Sequence, residues 1–492
     1  MDFPGFPHPN PSLSFWLQGA RNSTLLGHRT TETLPESADI TIIGSGLSGA
    51  AIAYFLLTGP NPPERVLLLE AREACDGATA RNGGHCRPDC YMNYPSYKKH
   101  FGREQALKII QNEMDTLNLT TEIVEKEGID CDFWRGFTFD VAESQSFADF
   151  FAASYQEFVD DGGPVDGIIE RILDTEKARQ ATRSSKATVA YRTPAAQLWP
   201  HKLVVHLLKL CTEKHRLNLQ TNTPVRAVHP ATGVTGTGAG WTVKTDRGEV
   251  QTAKVVYATN AFTATLLPEF LGHIWPFRGQ CTVVVPPKSF AGNNMLKETY
   301  GLAYGEGKNG YAEYLIQRPR DGIIIYGGAR AAVPVEKLLG NTNDSEIYPE
   351  QTKALKDALP LRFEGWGEEA LGEGVIHAWS GIMGYTTEGV PYVGELHDKP
   401  GAFICAGHKG HGMARIMTCA KGLAAVIQGG DWASTGLPEC FQPTQERLTK
   451  PAQVEVSPKQ TYFMSVRSAI SRFMPWGAKQ AVVSQVESPT SA

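Results

Sequence analysis

The chain has 492 residues, with 47 basic and 52 acidic side chains and a formal net charge of -5 at pH 7, which is long enough for two or more domains around a large core. Neither sign forms a long run, which excludes the basic face that a nucleic-acid partner requires. Nine cysteines are scattered without paired CxxC clusters and cannot all pair within the chain, so a reduced, cytoplasmic setting is expected.

No basic region followed by an apolar core opens the sequence, so no secretory signal is expected, and Pro489 to Ala492 does not match a peroxisomal address. Residues 1–37, rich in Pro, Ser and Thr, read as an N-terminal arm lying across the body and anchored by Trp16 and Leu17. An apolar strand from Asp39 then runs into GSGLSG (Gly44 to Gly49), followed by a small-residue helix with Ala50, Ala51 and Ala53 and a second apolar strand, Val66 to Leu69, ended by Glu70. Gly44, Gly46 and Gly49 let the backbone turn tightly and approach a pyrophosphate at the helix start, with Leu47, Ser48 and Ala71 beside it. Glu70 suits a ribose and repels a 2′-phosphate, which favours FAD or NAD over NADP. A glycine triplet alone says little in a chain with 49 glycines; the strand–turn–helix–strand–acid context is what makes the reading specific. Residues 40–57 are also the most apolar stretch, but glycines and Ser45 and Ser48 interrupt it at the lower limit of a span, so no membrane span is expected.

The loop GATARNGG (Gly77 to Gly84) follows. Its glycines, Gly83 and Gly84 among them, permit close backbone approach, and Thr79, Arg81 and Asn82 offer donors to a phosphate or a flavin edge; a structural loop is the alternative. Apolar periodicity predicts helices over 105–127, 145–160, 167–180 and 203–211. Short strands over 217–220 and 224–228, including Val225, lead to a hairpin over 240–252 and a buried strand over 254–258 that enters a turn at Ala258 and Thr259. Residues 270–335 are strand-rich. Arg330, after Gly327-Gly328-Ala329, is placed to clamp a substrate carboxylate bidentately, with a surface arginine as the alternative. Tyr311, Tyr314 and Tyr326 line a pocket or pack the sheet. After the block around Gly384, a second glycine-rich loop, GHKGHGM (Gly407 to Met413), opens a helix ending near Ile427. Its helix start would meet the negative charge at N1 and C2 of a reduced flavin, tuned by His408, Lys409 and His411, with Gly410 and Gly412 shaping the turn. No Cys or carboxylate cluster completes a ligand set, so no metal is expected.

These patterns predict an α/β fold: a Rossmann-like FAD-binding domain built from 38–95, 196–268 and 365–430, discontinuous with an antiparallel-sheet α+β substrate domain from 96–195 and 269–364. Residues 431–492 form a C-terminal extension, partly flexible. Within it, 461–479 interleaves apolar and basic residues; surface contact with a membrane or partner is one reading, and a docked or disordered tail broken by Pro475 is the favoured one.

The chain resembles the FAD-dependent D-amino-acid oxidase (DAO) superfamily, and within it the glycine oxidase, sarcosine oxidase and γ-glutamylputrescine oxidase-like branch. The resemblance rests on GSGLSG with Glu70, GATARNGG, Glu127 to Asp132, Pro224-Val225, Ala258 to Ala261, Pro276 to Gln280, Thr387 to Pro391 and GHKGHGM, spanning residues 36 to 428 in family order. It implies that Gly44, Gly46, Gly49 and Glu70 hold the ADP half of FAD, that Val225 meets adenine through its backbone, that Arg81, Asn82 and Gly83 line the flavin, and that His408 through Met413 close its pyrimidine end. It implies hydride transfer from the carbon beside an amine to flavin N5, giving an imine, with Arg330, Tyr326, Lys409 and His408 as candidate catalytic residues. Arg81 and Gly381 stand where covalently flavinylated members carry His and Cys, so the FAD is expected to be noncovalent. The strand Gly322 to Tyr326 has no lysine of the kind that activates oxygen in some relatives, which leaves oxygen or another acceptor open. The alternatives are a flavin monooxygenase or NAD-linked dehydrogenase, disfavoured by the lack of a second GxGxxG unit, and a noncatalytic FAD-fold protein. The expected partner is a small amine or amino acid; oligomeric state is not legible.

Overall fold

The computed structural model of the chain describes residues 3–231, 240–306 and 310–449; the tail segment 461–479 lies outside them. Its frame is a sheet of eight strands among the described residues, ordered Tyr392–Glu395, Ala402–Ala406, Gly248–Tyr257, Ser37–Ile43, Val66–Leu69 and Asn218–Gln220, with Trp241–Thr245 and Val225–Pro230 continuing antiparallel from Gly248–Tyr257. The five strands from Ala402–Ala406 to Asn218–Gln220 run parallel. Parallel strands are covered on both faces and so read as unbroken apolar runs. Val66–Leu69 and Ala402–Ala406 are buried at every position, which is why these segments carry no polar alternation.

The helix Leu47–Thr58 is buried at ten of its twelve positions and packs between that sheet and the helix Ile416–Ile427. Burial all round explains the apolar run at 40–57 without any membrane. No helix among the described residues is long and apolar enough to cross one.

A second sheet, of nine strands among the described residues, runs Gly374–Tyr385, Trp275–Val285, Ile324–Gly327, Tyr311–Gln317, Thr299–Tyr304, Trp134–Ala142, Val189–Gln197 and His85–Cys86, with Glu170–Ile172 on Val189–Gln197. It is antiparallel except where Thr299–Tyr304 pairs with Trp134–Ala142. Gly374–Tyr385 pairs with Trp275–Val285 along its length, so the segment after residue 365 enters this sheet before Tyr392–Glu395 returns the chain to the parallel one.

Two helical expectations differ in detail. The helix expected over 105–127 begins at Tyr94 and continues to Lys126, with a break at Gly102, whose φ of 79° is closed to most L-residues. Over 167–180 the chain forms the short strand Glu170–Ile172 and then the helix Thr175–Thr182. The reason is local: the Asp174 side chain accepts the Lys177 N–H at 2.9 Å, capping a helix that starts there. All nine cysteines are free, eight of them buried. Trp16 is fully buried, packed edge-on against Trp199.

Candidate functional site

Four parallel strands end in the loops that build one cavity: Ser37–Ile43 in Gly44 and Gly46, Val66–Leu69 in Glu70 and Ala71, Gly248–Tyr257 in Ala258 and Thr259, and Ala402–Ala406 in His408 to Met413. Ligands of such sheets bind outside the carboxyl ends of the strands, where loops on either side of a central strand diverge. The opposite wall comes from the second sheet: Gly279 and Cys281 from one strand, Tyr311, Glu313 and Tyr314 from another, Arg330 just past a third, and Gly381, Met383 and Tyr385 from a fourth.

Gly44, with φ 104°, sits so close to the next strand's end that a Cβ would lie 2.7 Å from the Ala258 carbonyl oxygen. At Gly49 a Cβ would lie 1.9 Å from the Gly44 oxygen, so the helix can cross its own turn only without a side chain. Gly46 is the N-cap of Leu47–Thr58 and offers no side-chain cap; the Leu47 N–H donates to Thr79 Oγ1 at 3.0 Å. Glu70 receives the Ser45 N–H at 2.8 Å, the Ser45 hydroxyl at 2.7 Å and the Arg72 N–H at 2.9 Å, which pins its carboxylate at the cavity edge.

Leu47, Ser48, Thr79, Arg81, Asn82, Gly83, Val225, Arg330, Lys409, Gly410, His411, Gly412 and Met413 also line the cavity. Gly49, Gly84, Gly384 and Gly407 stand one layer behind it. Gly384 leaves room for Asn260, whose Oδ1 would be 2.5 Å from a Cβ there and accepts the Gly407 N–H at 3.1 Å. Gly84, with φ 71°, lets Trp16 and the Leu198 carbonyl approach. Asn82 holds this loop by accepting the Gly84 N–H at 2.8 Å and, through its carbonyl, the Trp16 Nε1–H at 2.7 Å. Gly83 lets the Tyr314 ring lie on the loop; the same ring covers Gly327, and its hydroxyl is 3.1 Å from Cys281 Sγ.

Three expectations are corrected by these contacts. The Arg81 guanidinium is not a free donor to the cavity: it is buried and bound to the Asp76 carboxylate at 2.7 Å, with the Ser12 carbonyl and Asp344 beside it, so Arg81 lines the cavity without offering its charge to it. Tyr326 is not on the cavity wall; its hydroxyl turns inward to Glu313, which also accepts from Tyr304 at 2.6 Å. The loop Gly407–Met413 does not itself open the helix. A 3-10 turn, Gly412–Ala414, intervenes, and the helix begins at Ile416.

The electrostatics are dominated by cations. Arg330 has no ion pair or side-chain hydrogen bond among the described residues, and its guanidinium lies over the rings of Phe277 at 4.9 Å and Tyr385 at 5.8 Å. Lys409, in the left-handed region at φ 49°, likewise has no acidic partner among them. Burial, with repulsion from Arg415 and Arg330, pushes its ammonium down to about 8. His408 is buried; desolvation, then Arg415, holds its imidazole down at about 3, so it is neutral. Its Nε2 is 3.4 Å from Ser48 Oγ, and its buried Nδ1 has no partner among the described residues.

Residues not foreseen fix the wall from behind or, for Arg87, line it. Glu113, fully buried, binds Arg415 at 2.7 Å, His411 at 3.6 Å and the Asp89 N–H at 2.6 Å. Burial raises its carboxyl, but Arg415 and His411 outweigh that and hold it at about 2. Arg87 pairs with the buried Asp140, whose carboxyl burial raises to about 6 against the pull of Arg87. No trio of His, Cys, Asp or Glu among the described residues is placed to hold a metal ion.

The donor set fits a dinucleotide. A turn whose glycines leave no space for side chains, a helix N-capped by a glycine, an acid fixed at the end of the second strand and an orphaned imidazole nitrogen in the wall are all present among the described residues.

The family model described as DAO, FAD dependent oxidoreductase, matches residues 39–426. Among curated proteins, the probable oxidoreductase OrdL of Haemophilus influenzae is 22% identical over 399 residues, covering 80% of this chain and 84% of that protein. Among solved structures, glycine oxidase from Geobacillus kaustophilus has the same fold, with a TM-score of 0.66 at 19% identity over 84% of this chain and 99% of that one. L-proline dehydrogenase from P. horikoshii superposes with a TM-score of 0.65 at 19% identity, covering 83% and 98% of the two chains.

Proposed function

The chain belongs to the DAO family of FAD-dependent oxidoreductases, and from that premise we propose that it oxidises the C–N bond of a small amino acid or related amine, holding the substrate's carboxylate on Arg330. The observation that carries this reading is the free guanidinium of Arg330 on the cavity wall, stacked on Phe277 and Tyr385 without an acidic partner among the described residues. A planar donor fork of this kind, half-buried at the cavity wall, matches a carboxylate bidentately. The names of the two structural relatives, a glycine oxidase and a proline dehydrogenase, point to the same substrate class.

In this reading Gly44, Gly46 and the start of Leu47–Thr58 hold the diphosphate, Glu70 the ribose, and Val225 and Ala258 the adenine side. Asn82, Gly83 and the loop His408–Met413 enclose the ring end, without a covalent link. Bound FAD would supply the two-electron acceptor for the hydride on the carbon beside the amine. Arg330 fixes the carboxylate end of the substrate, which limits the orientations of that carbon. Lys409, charged below about pH 8, adds a second positive charge where negative charge gathers. Tyr314, Met383 and Tyr385 supply apolar walls that exclude water. No side chain is assigned as an obligatory base, because a neutral amine can release hydride without one.

The test is anaerobic mixing of the yellow protein with amino acids, N-methyl amino acids, polyamines and glycerol 3-phosphate, following loss of the visible flavin absorbance. Bleaching by carboxylated amines supports the reading; bleaching by NADPH alone or by glycerol 3-phosphate alone overturns it. Arg330→Leu is expected to slow bleaching by carboxylated substrates about a hundredfold, the cost of a lost charge-assisted contact of roughly 3 kcal/mol, and to leave polyamines unaffected. Readmitting air and measuring peroxide distinguishes an oxidase from a dehydrogenase.

A further inference from the structure

The segment Gly5–Pro9 lies outside the stretch that the family model matches, which begins at residue 39, yet Gly5, Phe6 and Pro7 line the same cavity as Glu70, Val225 and Thr265. The segment is tied down at points on different elements. The Thr265 hydroxyl donates to the Gly5 carbonyl, the Arg226 guanidinium lies 4.5 Å over the Phe6 ring, and Arg72 Nη1 donates to the His8 carbonyl at 3.1 Å. Arg72 is itself fixed by Asp344 at 3.0 Å, and its backbone N–H holds Glu70. Further along, Ser12 N–H donates to the Asp344 carbonyl at 2.7 Å, and Ser14 Oγ to the Ala80 carbonyl at 2.6 Å.

The two halves of the arm differ in burial. Ser14 and Trp16 are fully buried and belong to the core, whereas Phe3 and Phe6 are 56% and 40% exposed. A segment with exposed aromatic rings, few buried contacts and ties at its edges can open at little cost while its buried root stays in place. Pro4, Pro7 and Pro9 stiffen it, which lowers the entropy lost on closing.

We propose that residues Gly5–Pro9 form a strap over the adenosine end of the FAD cavity, rooted at Ser14 and Trp16, that retains the bound cofactor. The proposal rests on the assignment of that end of the cavity to the adenosine through Glu70 and Val225. The strap adds Phe6 and Pro7 to the lining that Val225 and Leu266 also form, and the cofactor leaves only after the strap lifts.

The experiment compares the full chain with a truncation lacking residues 1–9, which keeps Ser12, Ser14 and Trp16. FAD release is followed by the fluorescence gained as flavin leaves the protein, and FAD and ADP affinities are measured on the apoprotein. Truncation is expected to speed FAD release at least about tenfold, the ratio that 1.4 kcal/mol of lost contact gives, to weaken ADP to a similar extent, and to leave riboflavin binding unchanged. The point variants Phe6→Gly and Thr265→Val, which leave the chain length intact, are expected to move release in the same direction by smaller factors. Equal release rates in all forms overturn the strap. Faster release with unchanged ADP affinity overturns its placement over the adenosine. Failure of the full chain to bind FAD at all would instead overturn the cofactor assignment, so the two failures are told apart.

Discussion

Lys409 shows how one residue carries a cost and a use together. Its ordinary pKa of 10.5 falls to about 8 in the fold through burial and the fields of Arg415 and Arg330. Because the folded value is depressed for a cation, the folded chain releases its proton first, so stability rises with pH between about 8 and 10.5. Below pH 8 the charged ammonium is therefore a burden that an anionic ligand offsets. Binding of propionate, a carboxylate that cannot be oxidised, is expected to tighten as pH falls through about 8, read from the shift of the visible flavin spectrum. In Lys409→Met the affinity should be weaker by about tenfold below pH 8 and flat across that range; a wild-type affinity that does not change between pH 7 and 9 would remove Lys409 from the anion's surroundings. Arg330 and Lys409 were each legible as residues of interest from their glycine-flanked loops. Their sharing of one cavity was not, because 270–335 and 407–413 meet only through the packing of two sheets. Arg81 misled for a related reason: its side chain is claimed by Asp76 and Asp344, and nothing local in GATARNGG announces Asp344.

Between elements, the long helix Tyr94–Lys126 and the helix Ile416–Ile427 are joined by Glu113 and Arg415, both buried, with His411 reaching the same carboxylate. Breaking a buried pair from one side leaves an uncompensated charge, at about 3 kcal/mol or more. Glu113→Gln should therefore lower unfolding stability by about 3 kcal/mol near neutral pH, measured by urea denaturation. The folded carboxyl titrates near 2 against an ordinary 4.5, so the contribution is fully present above about 4.5 and is lost as pH falls toward 2. The gap between wild type and variant must narrow over that window, and a gap independent of acid would mean that packing, not charge, accounts for it. At this scale the parallel strands and Leu47–Thr58 were easy to read, since burial on all sides leaves an unbroken apolar run. The strand Glu170–Ile172 was not: three residues at a sheet edge carry too little periodicity to stand out, and the Asp174 cap is a single residue.

For the molecule as a whole, the cavity wall is shared between the parallel sheet, through Gly44, Glu70, Ala258 and His408, and the antiparallel sheet, through Cys281, Tyr314, Arg330 and Met383. A cofactor filling it binds both at once and binds the unfolded chain not at all, so its binding free energy adds to folding stability. At free FAD about one hundred times its dissociation constant the added stability is about 2.7 kcal/mol. For a chain of this length that corresponds to a rise of about 2 to 3 degrees in the unfolding midpoint of the apoprotein. The rise should grow with the logarithm of FAD concentration and should appear equally in far-UV dichroism and in tryptophan fluorescence. Tryptophans lie in both sheets, Trp134, Trp275 and Trp379 in the antiparallel one and Trp241 in the parallel one, so a ligand held by one sheet alone would turn the single fluorescence transition into two steps. NAD at the same concentration should raise the midpoint less than FAD does, because it shares the ADP half but lacks the flavin ring that the loops Arg81 to Gly84 and His408 to Met413 would enclose. A midpoint raised by NAD and untouched by FAD would place this chain's chemistry with nicotinamide despite its fold.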